Sequence, residues 1–130
     1  MSTTKKKAPP ALLDRDAILA ADDLPVRVVD VPEWGGAVRL RSLTGQQRDA
    51  FDTETYKEAM AADKPGAGPR IVRAALVRWC AIGADGELLF APDDLAALAG
   101  KNGAVLDRLW AAAQEHNGFT DRDLEELAGN

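Results

Sequence analysis

The sequence predicts an α+β fold that is mostly helical. An N-terminal β-hairpin, with a candidate third short strand, packs on a bundle of about four to five helices. Three observations lead there. Val29 and Val31 flank Asp30, and Val38 and Leu40 alternate with Arg39 and Arg41, so two short runs each have an apolar and a charged face. Pro32-Glu33-Trp34-Gly35-Gly36 lies between them. The proline stops the first run because it cannot donate to a ladder, and the glycines let the chain reverse. Beyond residue 44, apolar residues recur at helical spacing, interrupted by glycine and proline.

In chain order, residues 1–13 form an expected disordered tail, with three lysines at 5–7 and Pro9-Pro10, and residues 14–130 one domain. Asp14 is positioned to cap a short helix over residues 14–21 with Ile18 and Leu19 inward, and Pro25 ends it. The hairpin follows. Thr44 and Gln47 have capping-box spacing and open a helix over residues 45–60. Its apolar stripe is thin: Phe51, Tyr56, Ala59 and Met60. Residues 63–69 read as a turn-rich loop.

A central helix is expected over residues 69–82, opened by Pro69 or Arg70. Ile71, Ala75, Trp79 and Ile82 share one face, and Val72, Leu76 and Cys80 widen it. Arg70, Arg73 and Arg78 fall on the remaining arc. A helix apolar over most of its circumference is buried by several neighbours, so this one forms the core. Gly83 ends it, and Asp85-Gly86 makes a turn. Residues 87–90 read either as a short strand or as an extended link; paired with the strand of Val38 to Arg41 they would give the sheet a third strand. A short helix over residues 93–99 has Ala91 where a capping side chain is expected. Gly100 and Gly103 precede a helix over residues 104–117, with Leu106, Leu109, Trp110 and Ala113 inward and Gly118 at its C-terminal cap. Thr120 caps a last helix, and Phe119 packs on Leu124 as a staple.

Charge and composition exclude whole classes. The chain carries −5, and outside the three lysines at 5–7 it carries −8, from 13 basic and 21 acidic side chains. Nucleic-acid binding needs a clustered positive field. No apolar run approaches the roughly 20 residues that span a bilayer. The start MSTTKKKAPP lacks an apolar core and is not expected to be a secretory signal. Cys80 is the only cysteine, which fits a reducing cytoplasm, and it reads as a buried hydrophobe.

His116 is the only histidine, without partners for zinc or for a catalytic triad, and reads as complementing a helix dipole. Gly35-Gly36 and the glycines at 66 and 68 lack the lysine and hydroxyl of a phosphate loop. The acids at 121, 123, 125 and 126 lack calcium-loop spacing. The expectation is no enzyme, no cofactor and no metal. Trp34, in a turn, either folds over the hairpin or anchors a partner, tryptophan being enriched at binding hot spots. The acidic segment with Leu124 and Leu127 either packs on its own domain or serves as a helix-in-groove ligand.

VPEWGGAVRLRSLTGQQRDAF, followed in order by an apolar central helix, DGELLF at 85–90 and GFT at 118–120, resembles the small tail assembly chaperones of tailed bacteriophages and prophages. The likeness spans about residues 26–128. It implies a protein that binds the tape measure protein, keeps it soluble, and promotes polymerisation of the tail tube protein around it. It also implies a host-cytoplasmic protein absent from the mature virion, with a frameshifted longer form of itself as a further partner; charge and hydropathy add the expectation of no nucleic acid and no membrane among its partners. Alternatives are a structural minor tail protein retained in the virion, or a regulatory, antitoxin-like binding module. Candidate partner-binding residues are Trp34, Arg39 and Arg41 of the hairpin, Gln47, Arg48 and Glu54 of the following helix, and Leu124 and Leu127.

Overall fold

The structure, a computed structural model, describes residues 10–62, 64–66 and 71–119. Helix α1 (Arg15–Ala20) precedes the hairpin β1 (Val26–Val31) and β2 (Gly36–Arg41), joined by a 3-10 turn, Pro32–Trp34. Then come α2 (Gly45–Ala61), α3 (Val72–Cys80), β3 (Ala81–Ile82), a 3-10 turn Pro92–Asp94, α4 (Leu95–Ala99) and α5 (Gly103–Asn117). The three strands form one antiparallel sheet in the order β1-β2-β3.

The register sorts the side chains. Val29 pairs with Val38 and Arg27 with Leu40, facing the helices, and Val31 and Leu40 are fully buried there. Val28 pairs with Arg39 and Asp30 with Ala37 on the opposite face, which lies open. A pleated pair alternates faces residue by residue, so one register fixes both sets.

The third strand exists, but not at residues 87–90. Ala81–Ile82 pairs with Arg39 and Leu40, and from the other segment only Leu88 bridges to Ile82. α3 delivers its last residues beside the free edge of β2, so the first extended residues after it take that edge. The turn at 83–86 then brings Leu89 back to donate its N–H to Ala81 O at 3.0 Å.

α3 is the core helix, as its pattern predicts, but shorter. It runs from Val72 to Cys80; Ile71 is already non-helical, and Pro69 and Arg70 lie outside the described residues. The Ile71 N–H donates to Glu58 Oε1 at 2.6 Å, which ties the start of α3 to α2. The arc outside the apolar face does not leave Arg78 in water. The residue is 4% exposed, because α2 lies across that arc and supplies Glu54. Arg78 and the Trp79 Nε1–H both donate to Glu54 Oε2, at 2.9 and 3.2 Å, and the guanidinium sits over the Trp79 ring at 4.3 Å.

Other expectations are corrected by packing. Asp14 caps α1 through the Ala17 N–H, but Ile18 and Leu19 are 56% and 69% exposed. The extended Ala21 and Pro25 lead out of this six-residue helix into β1 without laying it on the core. α2 opens with the expected reciprocal Thr44–Gln47 box, at 3.0 Å in each direction. It buries only Phe51 and Thr55, one turn apart; Tyr56 and Met60 point outward. Residues 92–94 form a 3-10 turn ahead of α4, and Asp94 accepts the Ala91 N–H at 2.8 Å, serving the end where Ala91 offers no cap. Gly103 belongs to α5 rather than breaking the chain, because Asn102 caps that helix through the N–H groups of Ala104 and Val105. Gly118 ends α5 at φ 68, a backbone angle glycine adopts freely.

Asn117 locks three elements. Its Oδ1 accepts the Leu43 N–H at 2.8 Å, and its Nδ2 donates to Ala113 O at 2.8 Å and Cys80 Sγ at 3.5 Å. His116 Nε2 lies 2.7 Å from Pro25 O, tying the end of α5 to the start of the hairpin. Phe119 stacks on Phe51 at 6.3 Å with the Arg48 guanidinium over its ring. The expected last helix and the Phe119–Leu124 staple, and most of the expected tail, lie outside the described residues.

Removing one member of a buried ion pair leaves the other charge unpaired, a loss of about 3–5 kcal/mol when both are fully buried. The Glu54 side chain is 36% exposed, so water recovers part of this. Glu54→Ala is expected to cost about 2 kcal/mol in urea denaturation. Glu54→Leu combined with Arg78→Met is expected to recover most of that loss.

Candidate partner-binding surface

The hairpin turn presents its tryptophan through a fixed set of contacts. Gly35 takes φ 81 and donates its N–H to Pro32 O at 3.0 Å, closing the turn. Arg108 of α5 then clamps it. The Arg108 guanidinium makes two parallel bonds to Glu33, at 2.8 and 2.6 Å, and reaches Asp30 O at 3.4 Å. This fork-on-fork geometry fixes direction as well as distance. The Arg108 hydrogen bonds hold the Glu33 carboxyl down at about 2. Trp34 is thereby held half-buried at the edge of the core.

Two clefts result. One, of about 440 Å³, lies between Trp34, Leu89, Phe90 and the α4 side chains Ala97 and Leu98, with Asp94 and Lys101 at its rim. The other, of about 340 Å³, lies against the open face of the sheet, lined by Val28, Ala37, Arg39, Ile82, Ala84 and Leu89. Leu89 belongs to both, so the clefts meet there. Mostly apolar, concave surface with a few charges around it is what a partner's side chains enter.

The residues singled out from the sequence divide. Trp34 and Arg39 are brought to the two sides of Leu89. Arg41 is occupied in the fold, donating to Gly86 O at 3.0 Å. Gln47 serves the capping box, Arg48 covers Phe119, and Glu54 holds Arg78 and Trp79. Leu124 and Leu127 lie outside the described residues. Sequence reading missed Val28, Leu89 and Phe90 as surface formers. One signal was present: VRVVDV places valines on both faces of β1, and only one face meets the helices.

Among the described residues no cluster of histidine, cysteine and acidic side chains is arranged to hold a metal. Burial pushes the Cys80 thiol up to about 12, which keeps it from acting as a nucleophile. No helix among the described residues is long and apolar enough to cross a membrane.

No family model matches the sequence, and no curated protein matches it. Among solved structures, the fold is similar to that of the bacteriophage HK97 tail assembly chaperone, at 21% identity and a TM-score of 0.52. The match covers 71% of this chain and 84% of that one. The chain thus has a tail-assembly-chaperone-like fold, as its resemblance to that family implies.

Glu33 sets a pH test of the hairpin clamp. A carboxyl held below its ordinary value stabilises the fold above about 4.5, and that contribution disappears as pH falls through about 2. Glu33→Gln is expected to unfold more easily than the natural chain at pH 7. The gap between the two is expected to narrow from pH 4.5 downward and close near pH 2, as read by chemical denaturation at each pH.

Proposed function

We propose that this chain is a phage tail assembly chaperone that works by covering apolar surface on a client and catalyses no reaction. The client is the tape measure protein. The chain binds it in the host cytoplasm, keeps it soluble, and yields it to tail tube protein, which polymerises around it. The chaperone itself is left out of the finished virion. A frameshifted longer form of the same chain is a further proposed partner.

The observation that carries this reading is the shared fold, which extends over 84% of the HK97 tail assembly chaperone. The surface is consistent with it. The clefts around Leu89 offer apolar contact without a catalytic group. The net charge of −5 keeps a chaperone–client complex dispersed, since like-charged particles repel.

Co-expression tests the reading. With this chain present, its cognate tape measure protein is expected in the soluble fraction, and without it in the pellet. Equal precipitation in both cases contradicts the assignment.

A further inference from the structure

Arg39 stands apart from the other described arginines. Arg15, Arg27, Arg73, Arg78 and Arg108 have carboxylate partners, Arg41 has a carbonyl, and Arg48 has the Phe119 ring. Arg39 has no ion pair, hydrogen bond or ring contact among the described residues. Asp30, the acid nearest to it in register on that face of the hairpin, makes no ion pair with it. Its ground is apolar. Val28 and Ile82 are its partners across the strands, and Val28 and Leu89, 60% and 50% exposed, line the same cleft.

A guanidinium in that position is at no cost while water reaches it. Once a partner covers the face, the charge is desolvated and needs an anion, since an unpaired buried charge is strongly unfavourable. Whatever covers this face therefore has to bring a carboxylate along with apolar side chains. A second copy on this face would have to set Arg39 against the other copy's Asp30, and the test below separates that occupant from a client.

We propose that the open face of the sheet is the docking site for a client segment that carries an aspartate or glutamate among apolar side chains. The carboxylate pairs with Arg39, and the neighbouring apolar side chains cover Val28 and Leu89. This rests on the chaperone reading and names the chemistry of its client. The chain's negative charge does not forbid it, because exposed charges further away than about 10 Å are largely screened at ordinary salt. Selection happens at short range, by one pairing on an apolar patch.

The test uses the full chain, overlapping peptides of the tape measure protein, and fluorescence anisotropy. Arg39 is exposed, so Arg39→Glu should fold normally, and a matching thermal melt checks this. Peptides with an acid among apolar residues are expected to bind. Arg39→Glu is expected to weaken them roughly tenfold or more. Changing the peptide's acid to lysine is expected to restore binding to the variant. A benzoylphenylalanine in place of Leu89 is expected to crosslink to the client in co-expressing cells.

If Arg39→Glu binds the peptides and solubilises the client like the natural chain, the docking site is wrong and the chaperone reading stands. Crosslinks from position 89 to the chain's own residues 120–130, or to a second copy, with client present, also overturn it. If the natural chain leaves the client insoluble, both fall together.

Discussion

Six of the nine residues of α3 are buried: Ala74, Ala75, Leu76, Val77, Arg78 and Cys80. A helix enclosed on so many sides has to be covered by every neighbour at once, and this requirement places the other elements. β2 delivers Leu40, α2 delivers Phe51, α4 delivers Leu98, and α5 delivers Val105, Leu109 and Ala113. Each large apolar side chain buried there contributes roughly 1.5–3 kcal/mol. The third strand is only two residues long, so the sheet is little more than a hairpin and depends on this enclosure. α1, which covers none of α3, buries nothing.

Polar links then fix what packing leaves loose. Glu54 holds α2 on α3 through Arg78 and Trp79. Asn117 binds the loop before α2 to α5 and to Cys80. Arg108 sets the hairpin turn on α5 through Glu33. All three are between elements distant in sequence, and each uses a charged or amide group whose donors and acceptors are geometrically fixed. Their joint result is a rigid frame with two apolar clefts on it, met at Leu89. The frame spends its arginines on itself and leaves Arg39 over.

Much of this was legible in the chain, for local reasons. The hairpin follows from alternation and a Pro-Glu-Trp-Gly-Gly turn. The start of α2 follows from Thr44 and Gln47, and the end of α5 from Gly118. These signals act within four residues and survive any packing. What was not legible depends on neighbours. Arg78 reads only as lying off the apolar face until α2 is laid across it. Residues 87–90 read as a strand or an extended link until α3 places Ala81 at the edge first. Ile18, Leu19, Tyr56 and Met60 read as inward because they are apolar, yet nothing in the frame reaches them. The proposed binding surface was half visible: Trp34 and Arg39 stood out by type, whereas Leu89 becomes a surface residue only through the turn that returns it to Ala81.

The account makes the clefts around Leu89, rather than the polar side of α2, the working surface. Hydrogen exchange of the full chain, with and without the tape measure protein, tests that most directly. Slowed exchange in residues 28–39 and 83–98, with α2 unchanged, is the predicted result. Slowed exchange along α2, with the segments around Leu89 unaffected, would contradict it.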